Sequence, residues 1–353
     1  VTRHPAAYGG PMDATHFDPF TSEQVITVSD EASGLKAVIA LDDLTLGPGF
    51  GGVRMREYAT PAAAVEEAQR LARAMTFKHA LAELPYGGAK SVIVSDGRPR
   101  DAAARRRLFE AFGDAVAGTH GRYIPGVDMA TTLADMAVVR ERGAKVYCAD
   151  ANPSPWTARG VYAAMRAAVQ GVLGRPDLSG VRVAVQGVGS VGGELARLVA
   201  RDGGEVIAAD VDRARAEEVA AQVGGRAVDV EEIVTTECDV FAPSAVARVV
   251  TADVVPHLNC RLIAGAANDT LDSDDVDAAL LTRGITFVPD FVANAGGVIH
   301  EHARALGWSD EQLAEAVDAI GGRVLELVEE AGPGGSLVDA ALARGRRRLA
   351  GER

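Results

Sequence analysis

The segment VRVAVQGVGSVGGELARLVA, residues 181–200, constrains the fold more than any other part of the chain. Val181 to Gln186 read as a short apolar strand, and Gly187, Gly189 and Gly192 turn the chain from that strand straight into a helix. Gly187 suits a tight turn, Gly189 leaves the backbone open to a close-approaching pyrophosphate, and Gly192 lets the helix lie against the sheet. The exposed amides of a helix start favour phosphate charge. The next strand, EVIAAD, ends in Asp210, whose carboxylate can accept from ribose hydroxyls and would repel an added 2′-phosphate. The segment therefore predicts a dinucleotide site contacted by Gly187, Val188, Gly189, Ser190, Val191, Gly192, Asp210 and Val211, with NAD preferred over NADP. Arg213 opposes that preference, because an arginine after the acidic strand end can support a 2′-phosphate. In a chain with 39 glycines the glycine pattern alone is weak; the flanking strand and helix carry the reading.

Around this segment, VDVEE, CDVFAPS, RLIAGAAN and GITFVP recur between helical or loop stretches, the order expected of a doubly wound parallel sheet. The first half reads as a separate α/β layer. LKAVIALDD is strand-like, Thr60 and Pro61 start a helix with Val65, Ala68, Leu71 and Met75 on one stripe, and a turn at Pro85 to Gly88 leads into the strand KSVIVS. A charged helix follows from about Asp101 to Val116, and later helices are expected over Ala303 to Arg323 and Ser336 to Arg346. The prolines and small polar residues of CADANPSPWTARG mark a boundary after the strand-like AKVYC. The expected organisation is an α/β fold of two domains separated by a cleft. Residues 1–148 form the substrate and oligomerisation domain, residues 149–329 the dinucleotide-binding domain, and residues 330–353 a helical segment returning to the first.

Bulk properties narrow the function. The chain has 353 residues, 48% of them hydrophobic, enough for two cores, and 36 Lys and Arg against 49 Asp and Glu give a net charge of −13. That charge opposes nonspecific attraction to nucleic acid. Cys148, Cys238 and Cys260 are widely spaced and odd in number, which points away from a disulfide scaffold or thiolate metal cluster and toward a reducing compartment. No apolar run reaches membrane-spanning length and the start VTRHPAAYGG lacks a secretion signal's features, so a cytoplasmic location is expected, with no membrane partner.

Candidate chemistry lies in the first half. Lys78 lies within MTFKHALAELPYGGAK and Lys90 ends it, and a turn between them can bring both ammonium groups to one cleft, where they can hold a carboxylate. A lysine surrounded by other cations and stripped of water gives up its proton more readily and can serve as a base. Asp128, in RYIPGVDMATTLADM, follows a segment that reads as a loop and precedes a helix near Leu133 to Val139; its carboxylate can face the cleft or simply cap that helix. His79 and His300 have no flanking pattern that marks a catalytic base and read as packing or hydrogen-bonding residues.

Taken together, LGPGFGGVRM, MTFKHALAELPYGGAKSVI, YIPGVDMATTLADM, PSPWTARGV, GVGSVG, FAPSA, AGAANDTL and PDFVANAGGVIH, in that order, resemble the glutamate, leucine, phenylalanine and valine dehydrogenase family, especially its branch acting on apolar amino acids. The resemblance runs from about Leu35 to beyond His300. It implies NAD-dependent, reversible oxidative deamination of an L-amino acid to a 2-oxo acid and ammonium, by a homo-oligomer and without a metal. It also implies that Lys78 holds the substrate α-carboxylate, Lys90 activates water and Asp128 handles ammonium and protons. Gly51 and Gly52 are implied beside the substrate, Asn268 and Asn294 at the nicotinamide end, and Ala242, Pro243 and Ala266 along the cofactor. Three positions depart from the usual motifs: VDMA replaces a DVG-containing loop, Ser244 stands where Cys is common, and Asp269 where a second Asn is common.

The same comparison bears on the substrate. Phe50 occupies the position where glutamate-acting relatives present a lysine to the distal carboxylate, and burying that charge beside an aromatic ring is costly. Phe50, Gly126 and Val298 therefore imply an apolar or aromatic substrate side chain. Glu301, where an apolar wall residue is usual, implies instead a polar or cationic side chain if it points inward, and nothing if it rotates outward. Two other classes stay open at this level: a 2-hydroxy-acid dehydrogenase, and a noncatalytic protein that senses a dinucleotide.

Overall fold

The computed structural model describes residues 22–147, 152–273 and 275–352. Its first sheet comprises β1 (Gln24–Asp30), β2 (Leu35–Leu41), β3 (Gly49–Arg56), β4 (Gly87–Val94) and β5 (Tyr123–Val127), in the order β1-β2-β4-β3-β5. β2 runs antiparallel to both neighbours, whereas β3 is parallel to β4 and to β5. The period-two pattern of β2 supplies both faces. Val38 and Ala40 meet Ala64, Ala68 and Ala72 of α1 (Pro61–Leu81), while Leu35, Ile39 and Leu41 meet Leu108, Phe109 and Phe112 of α2 (Ala102–Ala117) and Met136 of α3 (Leu133–Glu141). The Thr60 hydroxyl caps α1 by accepting from Ala63 N at 3.1 Å, with Pro61 in the first turn where its missing N–H costs nothing.

After α4 (Ser154–Leu173) a second sheet begins, formed by β6 (Arg182–Gln186), β7 (Glu205–Ala209), β8 (Arg226–Ala227), β9 (Val240–Pro243), β10 (Leu262–Ile263) and β11 (Thr286–Phe287). All of its pairings are parallel, in the order β11-β10-β9-β6-β7-β8, with α5 (Ser190–Arg201), α6 (Arg213–Val223) and α7 (Asp275–Thr282) among the connections. The order reverses between β6 and β9, and such a switch point opens a crevice at the carboxyl ends of the strands. This is the doubly wound α/β architecture expected from the sequence. Beyond the sheet come α8 (Asp290–Ala293), α9 (Gly296–Leu306), α10 (Asp310–Ala331) and α11 (Leu337–Leu349). α11 rests on α1 at Gly345, where an added Cβ would come within 2.6 Å of the Phe77 ring. Among the described residues no helix is long and apolar enough to cross a membrane.

Several local expectations give way. Tyr123 to Val127 form an edge strand rather than a loop; Pro125 is tolerated because β5 pairs with β3 on one side and needs no second ladder. Gly87 and Gly88 belong to β4, so Lys90 sits inside the strand instead of opening it. α1, whose expected apolar stripe ends at Met75, continues through Lys78 to Leu81. VDVEE forms no strand; the short β8 lies just before it. The helix expected over Ala303 to Arg323 is two helices, stopped by Gly307 in a left-handed conformation and restarted by a capping box of Ser309 and Gln312. Residues 144–147 of AKVYC are not a strand, and residues 148–151 lie outside the described residues.

Candidate active site

On the face of the first sheet that carries Phe50, alternation brings Gly52 and Arg54 of β3 to the same side, with Lys90 of β4 and Asp128 just past β5 alongside. Lys90 Nζ lies 2.6 Å from Asp128 Oδ2, and Arg54 Nε lies 3.0 Å from the same oxygen. A side chain at Gly52 would come within 2.8 Å of the Asp128 Cβ and 3.2 Å of Lys90 Nζ, and one at Gly51 within 1.6 Å of the Ala89 carbonyl oxygen. Gly52 thus leaves room for the ion pair at the sheet surface, and Gly51 for the backbone of β4 beside it. Burial would raise the Asp128 carboxyl, but Lys90 and Arg54 outweigh it and hold the group well below the usual carboxylate range. Sequence reading missed Arg54, which is buried and anchored in turn by Glu67 at 2.7 Å. Its signal was the spacing from Gly52, two residues along a strand.

Asp128 does not cap α3; Thr132 does, in a reciprocal capping box with Asp135. The Asp128 amide instead receives support from Thr131 Oγ1 at 2.9 Å, and that hydroxyl donates to Val53 O at 2.8 Å. In the departing VDMA loop, Ala130 takes the left-handed backbone, φ 58°, that a glycine would adopt freely. Arg105 donates to its carbonyl at 2.9 Å and helps hold it there.

Lys78, in the last turn of α1, faces the second sheet. Its ammonium donates to Asn268 Oδ1 at 3.1 Å, and Asn294 Nδ2 donates to the same oxygen at 2.9 Å. Burial pulls the Lys78 ammonium down to about 8; Asp290 opposes the shift and Lys90 adds to it. A buried cation with that balance gains from an incoming carboxylate. Among the described residues Asn294 Oδ1 is buried without a hydrogen-bond partner, an acceptor suited to a ligand amide.

The crevice between β6 and β9 fits a dinucleotide. Gly187 has φ 86°, and a Cβ on Gly192 would strike the Gly187 carbonyl at 1.9 Å, whereas among the described residues nothing lies within 4 Å of one built on Gly189. That open approach leads to the start of α5, which has no side-chain cap, so its first amides are free for an anion. Val188, Ala242 and Pro243 are buried, Val191 and Ala266 are half-buried, and Ser190 and Val211 are exposed. Asp210 Oδ2 accepts from Val188 N at 2.9 Å. The cation beside it is Arg215, with Nη1 3.3 Å from Asp210 Oδ1; Arg213 is turned away to Glu217 and Asp229.

Phe50 is enclosed by aromatic rings, stacked on His79 at 5.3 Å and edge-on to Tyr147 at 4.9 Å and Tyr86 at 5.7 Å. Tyr86 OH in turn bonds His302 Nδ1 at 2.9 Å, tying this nest to α9. Burial pulls His79 down to about 3, and its Nδ1 meets the Gly87 carbonyl at 2.9 Å, so it is a neutral packing ring. Gly126 sits in register with Gly52, and Val298 on α9 is half-buried. Glu301, one turn beyond Val298, is buried, which excludes the outward rotation; His300 Nδ1 lies 2.9 Å from its Oε1.

Comparison with known proteins accords with this geometry. A family model described as Glu/Leu/Phe/Val dehydrogenase, dimerisation domain, matches residues 22–145, and one described as Glutamate/Leucine/Phenylalanine/Valine dehydrogenase matches residues 210–351. Leucine dehydrogenase of Bacillus subtilis is 38% identical over 90% of this chain and 89% of its own length. Phenylalanine dehydrogenase of Thermoactinomyces intermedius is 37% identical over 89% and 87%. The crystal structure of L-tryptophan dehydrogenase from Nostoc punctiforme superposes with a TM-score of 0.80 at 33% identity, covering 94% of this chain and 96% of that one. Nearly the whole length is shared with these enzymes, and the chain belongs to the glutamate, leucine, phenylalanine and valine dehydrogenase family.

Proposed function

We propose that the chain catalyses NAD-dependent, reversible oxidative deamination of an L-amino acid with an apolar or aromatic side chain, yielding the 2-oxo acid and ammonium. The observation that carries this is the convergence of Lys78, Lys90 and Asp128 with Asn268 and Asn294 at one cleft. Lys78 binds the substrate α-carboxylate, whose charge compensates a cation already held in a desolvated site. When bound, NAD supplies the hydride acceptor; Gly187 to Gly192, Asp210 and Val211 hold its pyrophosphate and ribose end, with Ala242, Pro243, Ala266, Asn268 and Asn294 toward the nicotinamide. Asp128 first takes a proton from the substrate ammonium. Once Cα is oxidised, Lys90, as its neutral amine, takes a proton from the water that adds to the C=N carbon. Asp128 returns its proton to the nitrogen, the C–N bond breaks as the hydroxyl on the same carbon loses its proton to the departing amine, and the 2-oxo acid and ammonium leave. Gly51 and Gly52 let the substrate approach the sheet closely. The family model described as a dimerisation domain supports an assembly of identical chains.

Phe50, Gly126 and Val298 favour an uncharged substrate side chain, and the Glu301 carboxylate is engaged by His300. The burial of Glu301 also supports a second reading, a cationic or hydrogen-bonding side chain drawn toward it. A substrate panel of valine, leucine, phenylalanine, tryptophan, lysine, arginine and glutamate decides: the highest kcat/KM with NAD is expected for one of the first four. A maximum at lysine or arginine establishes the second reading, and a maximum at glutamate overturns both. A 2-hydroxy-acid dehydrogenase would oxidise NADH with a 2-oxo acid equally well without ammonium; ammonium dependence is expected here.

NAD is favoured over NADP by Asp210, whose buried carboxylate would face the added phosphate. Arg215 softens that repulsion, so the NAD to NADP ratio of kcat/KM is expected to be about tenfold rather than absolute. Arg215→Ala should raise the ratio and weaken NADP binding measured by titration. A preference for NADP in the unaltered protein would overturn the assignment.

A further inference from the structure

Asp269 departs from the family motif, and the catalytic reading leaves it without a role. Its backbone is left-handed, φ 57°, and so is that of Arg248, φ 55°; non-glycine residues in that region mark a loop held by its surroundings. The two hold each other. Arg248 N donates to Asp269 O at 2.7 Å, and Arg248 Nε donates to Asp269 Oδ2 at 3.1 Å. The other carboxylate oxygen pairs with Nη1 of Arg70. Arg70 lies on α1, two turns and about 12 Å before Lys78, and Lys78 bonds Asn268, the neighbour of Asp269. One loop of the second sheet is therefore tied twice to one helix of the first. Its far side is fixed by Thr270 N, which donates to Asp290 Oδ2 at 2.8 Å.

We propose that Asp269 is a positioning residue, a charge latch between Arg70 and Arg248 that holds the 265–271 loop against α1 and so sets the spacing of Asn268 and Lys78 across the cleft. An asparagine here would keep the size and the left-handed backbone but supply no charge. In this chain, aspartate adds two ion pairs to that geometry. Arg70 and Asp269 are each about a fifth exposed, so the bridge is screened less than a pair on open surface, yet salt still weakens it. The spacing of Asn268 and Lys78 thereby becomes sensitive to ionic strength.

The inference rests on the amino-acid reading only for its kinetic consequence, and the test separates the two. Asp269→Asn removes the charge while keeping a residue that tolerates positive φ, so it should fold. Amide hydrogen exchange across residues 265–271 in the substrate-free protein is expected to rise about tenfold in the variant. Exchange there should increase with salt in the unaltered protein and hardly at all in the variant. KM for the amino acid should rise about fivefold with kcat changed less than twofold, and Arg70→Gln should do the same, the double variant being no worse than either single one. Loop exchange and salt response unchanged in Asp269→Asn overturn the latch, whatever the substrate. Altered exchange in a protein that oxidises no amino acid establishes the latch and removes the catalytic reading instead.

Discussion

Replacing Lys90 by alanine is expected to lower kcat by about a thousandfold while leaving NAD affinity within about twofold of normal. The magnitude follows from what a positioned proton acceptor contributes, about 10² to 10⁴ in rate, with some loss of substrate order added. Affinity for the dinucleotide should survive because the lysine belongs to β4 of the first sheet and the glycine turn to β6 of the second. The fold should survive as well. Asp128 keeps Arg54 at 3.0 Å, so deleting one of its two cations does not leave a buried carboxylate uncompensated. Turnover and cofactor titration on the same preparation check this, with circular dichroism to establish folding. Turnover within tenfold of normal in folded protein would remove Lys90 from the proton-transfer role. The pair of measurements also separates the enzyme from a dinucleotide sensor, in which the substitution would be silent.

The opposing charges around Asp128 explain why sequence reading named the residues of the candidate cluster better than the contacts between them. Lys78, Lys90 and Asp128 were visible because each sits in a distinctive short segment, and resemblance to a family put those segments in one cleft. The chemistry between them depends on strand register, which no local pattern contains. YIPGV reads as a loop because proline and glycine are poor strand residues, yet an edge position with a one-sided ladder accommodates both. Once that strand is laid beside GFGGVRMR, Gly52 falls opposite Gly126, and Arg54 reaches the carboxylate two residues later. Arg213 and Arg215 show the same limit. Both are near Asp210 in sequence, but the helical turn after Asp212 sends the first to Glu217 and Asp229 and brings the second back to Asp210. The doubly wound sheet, by contrast, was legible early, because apolar runs separated by glycine turns and helices leave few other ways to bury both faces. Glu301 was ambiguous in sequence, since one position on a helix can face either way. Burial of its carboxylate beside His300 depends on how α9 packs.

Asp128→Asn is expected to lower turnover in both directions by about a hundredfold or more, because the amide keeps the shape of the carboxylate but can no longer take up and release a proton. It should also cost stability. Lys90 loses its ionic partner, while Arg54 keeps Glu67 and can still donate to the amide oxygen, so the expected loss is about 2 kcal/mol, below the ~3–5 kcal/mol for removing one partner of a fully buried pair. The pH dependence of that loss identifies its source. The carboxyl is held below its ordinary 3.8 in the folded protein, so its stabilising contribution is complete above about pH 5 and fades as pH falls through 3.8 toward the lowered folded value. The gap in unfolding free energy between the unaltered protein and Asp128→Asn should accordingly be flat from pH 5 to 8 and shrink below pH 4. Denaturant unfolding at pH 3, 4, 5 and 7 measures it. A gap that stays constant down to pH 3 would mean that Asp128 is stabilised by shape rather than by charge, and near-normal turnover would mean that it carries no proton. A folded variant whose stability deficit shrinks below pH 4 and which is slow in both directions is the combined result expected of a proton-carrying carboxylate held ionised between two cations.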